Sequence, residues 1–268
     1  MKQFLTNLVS NTQALRSITR KLHQLHVTAT ARDIEGQVRR LTSATVMGGP
    51  FKGLRYPVLA SNAVHASTTP KLLGIYEKEL HDDIDRLLSS HRYDRVIDIG
   101  AAEGYYVAGL GGRQPDVKIV AFEADEKSRN ALRQVCDANQ LLDAVDVRGY
   151  CSPEMLNSLG PATRTLLVCD CEGGEIDLIT KHNLRALGPC DLIIECHDMF
   201  VPACCERLAE RLSSTHDLRI RTSHERTLSD VPHGMLEQIK ARTDEVAYAI
   251  GEHRHYQMQW IVAEQRPD

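Results

Sequence analysis

The sequence lacks a hydrophobic run long enough to cross a membrane, which needs about 20 consecutive apolar residues. Its N-terminus interrupts the apolar residues with Asn, Gln and Thr, so it has no signal-peptide core. It also lacks an excess of positive charge, with a net charge of −4 over 268 residues. This balance argues against nucleic acid or an anionic membrane as the main partner.

Cysteine patterns typical of a disulfide framework or a zinc site are also missing. The eight cysteines include no CxxC pair. Cys169 and Cys171 flank Asp170 on a predicted buried strand, and Cys204 and Cys205 lie in a predicted helix. Thiols in such places are commonly small buried hydrophobic groups. We therefore expect reduced cysteines and a cytoplasmic protein.

The N-terminal part of the chain is predicted to be a helical extension. Between Phe4 and Leu25 the apolar residues recur at near-helical spacing, which predicts one or two amphipathic helices. Such helices pack on the main domain, on a second subunit of a homodimer, or over a substrate as a lid. We predict an extension over residues 1–69 and a cofactor-binding domain over residues 70–268.

From Arg95 onward, short apolar runs alternate with helical segments, a pattern typical of βαβ units. It predicts an α/β fold with a Rossmann-like, seven-stranded, mostly parallel sheet and an antiparallel edge strand. The predicted strands are Arg95 to Ile99, Val117 to Glu123, Ala144 to Arg148, Thr165 to Cys171, Cys190 to Cys196, Leu218 to Thr222 and Gln257 to Val262. The main predicted helices are Gly104 to Gly112, Glu126 to Asn139, Gly174 to Leu184 and Pro202 to Ser214, with a helical stretch near Met235 to Tyr248.

The loop after the first predicted strand has the features of a nucleoside-binding loop. Gly100 lets the backbone turn sharply and approach a ligand, and Gly104 begins the next helix. The acidic residue Glu123 ends the following strand, where nucleotide-binding folds place an acceptor for ribose hydroxyls. Loop, strand and acid together predict a bound nucleoside cofactor.

The loop residues favour S-adenosylmethionine (SAM) over a dinucleotide. Ala102 replaces a glycine of the dinucleotide pattern, and Glu103 places a carboxylate where a pyrophosphate would bind. A carboxylate there suits a cofactor with an amino group and a sulfonium, and Asp98 can face the same amino acid moiety. An NAD(P)-dependent oxidoreductase and a non-catalytic SAM-binding scaffold remain as alternatives.

Three stretches resemble the motifs of the FkbM-type SAM-dependent methyltransferases, namely residues 96–110, 121–125 and 169–175; residues 73–77 and 194–198 are similar to further features of the family. The resemblance covers roughly residues 70–265. It implies a seven-stranded SAM-binding fold that methylates hydroxyl groups, often of sugars or polyketides, with Tyr76 closing over the methionyl end of SAM. Ala102 departs from the glycine found in many class I enzymes, and Cys169 and Cys171 leave the local polarity undecided.

Acidic and imidazole side chains follow the fourth and fifth predicted strands, with Asp170 and Glu172 after one and Glu195, His197 and Asp198 after the other. The carboxyl ends of parallel strands meet at one edge, so these groups are predicted to share a crevice. Two designs remain open. In one, His197 is a general base. In the other, Asp170 and Glu195, with His197 or Asp198, bind Mg²⁺ or Mn²⁺, an arrangement that resembles catechol-type O-methyltransferases.

The sequence thus predicts a SAM-dependent O-methyltransferase that acts on a small-molecule hydroxyl. The predicted catalytic residues are His197, Asp170 and Glu195. The predicted metal ligands are Asp170, Glu195 and Asp198. The predicted cofactor residues are Tyr76, Asp98, Gly100, Ala102, Glu103, Gly104, Glu123 and Asp170.

Overall fold

The computed structural model describes residues 28–58, 68–114, 116–254 and 256–267. The predicted amphipathic helices at residues 4–25 lie outside these ranges. The described strands are β1 (Arg95–Ile99), β2 (Lys118–Phe122), β3 (Val145–Arg148), β4 (Thr165–Cys169), β5 (Cys190–Cys196), β6 (His216–Thr222) and β7 (Gln259–Gln265). The helices are α1 (residues 28–42), α2 (Thr68–Leu73), α3 (His81–Ser90), α4 (Tyr105–Arg113), α5 (Glu126–Ala138), α6 (Pro153–Asn157), α7 (Glu175–Leu178), α8 (Lys181–Leu187), α9 (Cys204–Leu212) and α10 (Thr243–Ala249).

The seven strands form one sheet in the order β3-β2-β1-β4-β5-β7-β6. The first five are parallel to one another, and β7 runs antiparallel to both β5 and β6. The predicted seven-stranded, mostly parallel sheet is therefore confirmed. The antiparallel strand β7 lies one position in from the edge, and β6 is the outermost strand.

The central strands are formed by runs of apolar residues that are buried along their whole length. All residues of β1, β4 and β5 are buried, as expected for parallel strands covered on both faces. Alternate side chains enter two different cores: Val96 packs in one hydrophobic cluster, and Ile97 and Ile99 pack in the other. The described residues of the predicted extension contribute Ile34 and Tyr56 to the first cluster. The division at residues 69 and 70 stays a prediction.

One predicted helix is split in two. Residues 174–184 were expected to form one helix, but the structure ends α7 at Leu178 and begins α8 at Lys181. The hydroxyl of Thr180 accepts a hydrogen bond from the backbone N–H of Asn183 at 3.1 Å, which caps the start of α8. The helical stretch expected near residues 235–248 is likewise divided into a short 3₁₀ turn, Leu236–Gln238, and α10.

The strand register brings three loop starts together at one edge of the sheet. Ile99 of β1 pairs with Cys169 of β4, and Cys169 pairs with Ile194 of β5. The residues that follow these three partners in the sequence are Gly100, Asp170 and Glu195. They lie side by side near the carboxyl ends of the strands.

In the parts of the chain that the structure describes, no helix is long and apolar enough to span a bilayer.

Gly100 is required by a very close backbone approach. Its φ of 88° lies in the left-handed region, and a Cβ built on it would lie 1.6 Å from the carbonyl oxygen of Asp170. The same two loops are joined by a hydrogen bond of 2.8 Å from Asp170 N–H to the Ile99 carbonyl. Only glycine therefore allows the loops after β1 and β4 to touch.

We expect Gly100→Ala to destabilise the protein, since left-handed strain alone costs about 1–3 kcal/mol and the Asp170 carbonyl must also move. The matched control is Gly112→Ala in α4, where an added Cβ meets nothing within 4 Å and helix propensity favours alanine by about 1 kcal/mol. Urea unfolding of both variants measures the difference. Equal effects on the free energy of unfolding would show that the approach to Asp170 does not constrain residue 100.

Candidate functional site

A large cavity lies beyond the carboxyl ends of the strands and has a volume of about 1070 Å³. A smaller cavity of about 50 Å³ adjoins it and shares Gly100, Asp170 and Glu195 as lining residues. Three aromatic side chains of the large cavity, Tyr150, Phe200 and Tyr256, are largely exposed to solvent. This location matches the crevice where ligands bind in open α/β sheets.

The opposite end of the sheet carries polar groups that are fully engaged in structure. The buried carboxylate of Asp191 accepts hydrogen bonds from Arg164, from the hydroxyl of Tyr93 at 2.9 Å and from the backbone N–H of Gln265 at 2.8 Å. Its two oxygens are therefore occupied by protein donors. The carboxyl-terminal edge differs, because there a buried acid keeps an oxygen without a partner.

That acid is Asp98, near the end of β1. It is 2% exposed, and its Oδ2 atom has no hydrogen-bond partner in the structure. Burial, reinforced by the negative charges of Glu123 and Glu77, raises the pKa of the Asp98 carboxyl to about 8. Asp98 lines the smaller cavity, so the unpartnered oxygen is placed to accept a hydrogen bond from a bound ligand.

Glu123 braces the glycine loop from the end of β2. Its Oε2 accepts the backbone N–H of Ala102 at 2.8 Å, and its Oε1 accepts that of Asp125 at 2.7 Å. Ala102 is held with a φ of 44°, in the left-handed region. Each oxygen of a carboxylate has a second lone pair. Glu123 can therefore hold the loop and still accept hydrogen bonds from a ligand in the large cavity, which it lines.

Glu103 is buried in an ion pair rather than presented as an isolated charge. Its Oε2 lies 3.3 Å from Nζ of Lys71, and both side chains are almost fully buried. The Lys71 ammonium also lies 4.8 Å from the centre of the Tyr76 ring and 5.8 Å from that of Tyr56. The sequence predicted that Glu103 repels a pyrophosphate. Because Lys71 balances the charge of Glu103, this carboxylate is not an isolated negative charge.

Arg254 joins three buried acids from distant parts of the chain. Its guanidinium donates to Glu77 at 2.6 Å, to Glu252 at 3.0 Å and to Glu195, and it lies 4.8 Å from the centre of the Trp260 ring. Burial and the Asp170 charge raise the pKa of Glu195, although Arg254 opposes this. The sequence offered no signal for this cluster beyond the nearness of Arg254 to Trp260.

His197 is fixed by a buried carboxylate. Its Nδ1 lies 2.7 Å from Oε1 of Glu175, which also accepts the backbone N–H groups of Cys171 and Gly173. The ring stacks on Phe200 with 5.9 Å between centres. Burial opposes ionisation of both groups, yet their hydrogen bond raises the pKa of His197 and lowers the pKa of Glu175. The sequence includes Glu175 only within the motif-like stretch 169–175, and the structure shows its contact to His197.

The structure groups Asp170, Glu172 and His197, each with one ligand atom within 4.8 Å of the others. The predicted metal set of Asp170, Glu195 and Asp198 shares only Asp170 with this group and stays a prediction. Glu195 is bonded to Arg254. The chain turns after β5, with Phe200 N–H bonded to the His197 carbonyl, and the exposed Asp198 accepts the backbone N–H of Cys205 at 3.4 Å.

Most of the remaining predicted cofactor residues line the same space. Gly104 is the N-cap residue of α4 and has a φ of 84°, and a Cβ there would lie 2.9 Å from Cγ of Leu132. Tyr76 lines both cavities, together with Gly100, Ala102 and Asp170. The structure therefore brings the predicted cofactor residues to one region, while their contact with a cofactor stays a prediction.

No protein family model and no curated protein matches the sequence. Solved structures similar to it include a precorrin-6Y C5,15-methyltransferase from Geobacter metallireducens, at 14% identity, 73% coverage of this chain, 88% of that chain and a TM-score of 0.47. The O-methyltransferase TomG from Streptomyces achromogenes, in complex with SAM, gives 14%, 87%, 89% and 0.45. An O-methyltransferase from Bacillus cereus, in complex with SAH, gives 15%, 87%, 91% and 0.45. These likenesses are remote, and the proposed function rests on the residues of the site.

The buried Asp98 gives a stability prediction for the ligand-free protein. Its pKa is about 8 when folded and near 3.8 otherwise. Between these values the folded state holds the extra proton, so stability falls as the pH rises through this window. Asp98→Asn removes that loss. We expect the variant to exceed the wild type in stability by more at pH 9 than at pH 5, as measured by urea unfolding. A difference independent of pH would contradict the raised pKa.

Proposed function

We propose that the protein is a SAM-dependent methyltransferase that transfers a methyl group to a hydroxyl of a small molecule. The observation that supports this most is the unpartnered oxygen of buried Asp98, beside the loop that begins at Gly100. A buried carboxylate without a donor is costly, and a cationic ligand group relieves that cost.

The residues fit SAM at both ends of the molecule. Asp98 would accept hydrogen bonds from the ammonium of the methionyl moiety, and Glu123 would accept them from the ribose hydroxyls through its remaining lone pairs. Tyr150 lines the cavity near Glu123 and provides aromatic surface for a purine. We also infer, from the sequence motifs, a place among the FkbM-type enzymes.

A nicotinamide dinucleotide fits less well. Its pyrophosphate is anionic and offers no donor to Asp98, and the negative charges of Glu123 and Glu77 already act on this part of the site. Lys71 is also withdrawn from this role by its ion pair with Glu103. The environment of Asp98 and the ion pair between Lys71 and Glu103 therefore support SAM over NAD(P). They replace the argument from sequence that Glu103 repels a pyrophosphate.

SAM, when bound, supplies a methyl group that is already activated by the sulfonium. The protein must then position the acceptor oxygen and promote loss of its proton. His197 and Asp170 lie on the cavity wall where an acceptor would meet the cofactor. Nε2 of His197 faces the carboxylates of Asp170 and Glu172. Glu195 acts on this wall indirectly, because it holds Arg254 against Trp260.

The remaining expectations concern the setting of the enzyme. We propose a sugar or secondary-metabolite hydroxyl as the acceptor, because the exposed rings of Phe200 and Tyr256 line the cavity and such rings pack against flat apolar ring faces. A cytoplasmic location, a homodimer and a lid or oligomerisation role for residues 1–69 stay predictions from the sequence.

Calorimetric titration with S-adenosylhomocysteine (SAH) and SAM tests the cofactor. We expect the wild type to bind both, and Asp98→Asn to weaken SAM binding about tenfold or more because a charged hydrogen bond is lost. Glu123→Ala should weaken both ligands, since it removes the ribose acceptors. Gly112→Ala is the control and should bind as the wild type does. Tight binding of NADH together with no binding of SAH would overturn the proposal.

Methyl transfer itself is tested with SAM labelled in its methyl group and a panel of sugars and phenolic hydroxyl compounds. We expect label in the product for at least one hydroxyl acceptor and a large loss of turnover in His197→Ala, whose SAH affinity should be retained. A scaffold protein would bind SAM and transfer label to no acceptor of any class.

A further inference from the structure

The cluster of Asp170, Glu172 and His197 has the geometry of a ligand set around an ion. Nε2 of His197 lies 3.5 Å from Oδ1 of Asp170 and 3.4 Å from Oε2 of Glu172. With metal–ligand bonds of about 2.1 Å, two ligand atoms of a tetrahedral site are about 3.4 Å apart, and neighbouring ligands of an octahedral site about 3.0 Å apart. Both separations therefore suit a shared ion with little movement.

A hydrogen bond does not explain the placement of this ring nitrogen. Nε2 makes no hydrogen bond to a described residue, and both nearby oxygens are farther away than the 2.7–2.9 Å usual for a charged N–H···O⁻ contact. His197 is only 3% exposed, and its Nε2 faces two carboxylates at the wall of the large cavity. The contacts that the protein supplies to Nε2 are thus two long ion-pair contacts to carboxylate oxygens.

The other ring nitrogen is held as metal-binding histidines are held. Nδ1 lies 2.7 Å from Glu175, a fully buried carboxylate that two backbone amides fix in turn. A carboxylate at Nδ1 keeps the proton on that nitrogen and leaves the Nε2 lone pair for an ion. Phe200 stacks on the ring and restricts its rotation. The imidazole is therefore preset in one tautomer and one orientation.

We propose that Asp170, Glu172 and His197 bind one divalent transition-metal ion, such as Mn²⁺, with Glu175 as a positioning residue for His197. One imidazole and two carboxylates suit Mn²⁺, Fe²⁺ or Zn²⁺ better than Mg²⁺, which prefers oxygen ligands. Asp170 and Glu172 are 40% and 58% exposed on the side of the large cavity, which leaves coordination positions open to an acceptor.

The use of this ion rests on the proposed methyl transfer, whereas its binding does not. An ion in this position would lower the pKa of an acceptor hydroxyl. In the net reaction the oxygen–methyl bond forms as the sulfur–methyl bond breaks, and one proton leaves to solvent through the open cavity. His197 would then be a ligand rather than the base that removes this proton.

The test is Mn²⁺ binding to the full-length chain after EDTA treatment and dialysis, followed by electron paramagnetic resonance. We expect one ion per chain and coupling of the Mn²⁺ spin to a nitrogen nucleus. His197→Gln should abolish the nitrogen coupling and lower the affinity at least about tenfold. Glu172→Gln, at an exposed position that tolerates the change, should also lower the affinity without unfolding the protein. Glu175→Gln should lower it about 10–100-fold while the nitrogen coupling remains.

Two acids provide matched controls. Asp177 is an exposed carboxylate of the same cavity, and Asp198 belongs to the ligand set predicted from sequence. Asp177→Asn and Asp198→Asn should leave Mn²⁺ affinity unchanged. No Mn²⁺ binding, binding without nitrogen coupling, or equal losses in the control variants would overturn the site.

SAH titration with and without EDTA separates this proposal from the proposed function. SAH binding with no Mn²⁺ binding would overturn the metal site alone. Mn²⁺ binding with nitrogen coupling but no binding of SAH or SAM would support the metal site and overturn the methyltransferase.

Discussion

The contact between the loops after β1 and β4 determines the arrangement of the whole site. The Asp170 carbonyl occupies the space where a side chain at position 100 would stand, and the Asp170 N–H is bonded to Ile99. One loop carries the cofactor candidates and the other carries Asp170 and Glu172, so a single backbone contact sets the distance between them. Because this contact involves main-chain atoms, it is insensitive to side-chain rotation. The cofactor loop and the loop that carries Asp170 and Glu172 are therefore held at a fixed separation.

The cavity is lined by more carboxylate groups than the basic side chains beside it neutralise. Arg254 balances part of the charge from Glu77, Glu195 and Glu252, and Lys71 balances Glu103. Burial raises the pKa of Asp98, so this group prefers to hold a proton in the ligand-free protein. Such groups reduce stability at neutral pH and prepare the site for cations. A cationic cofactor and a divalent ion are two ligands that satisfy this excess of negative charge.

The sequence predicts those parts of the molecule that depend on local pattern. Apolar runs locate the strands, and Gly100 with Glu123 locates the loop, because strand burial and backbone turning leave periodic or single-residue signals. The contacts of Arg254 join residues up to 177 positions apart, and nothing in the spacing specifies them. The position of Asp198 does not follow from strand alternation, because the chain turns after β5. The Thr180 cap divided a helix that the apolar pattern presented as continuous.

The order of the last three strands also has a consequence for how the chain acquires its structure. β7 is the last strand in the sequence, yet it lies between β5 and β6. When β6 of a nascent chain has been synthesised, it cannot yet pair with the sheet. Its pairing partner in the sheet is β7, which is synthesised later. The edge of β5, next to Glu195, stays unpaired during this interval. Completion of the sheet thus waits for β7, which also brings Trp260 beneath Arg254. Synthesis must therefore reach β7 before the sheet can close.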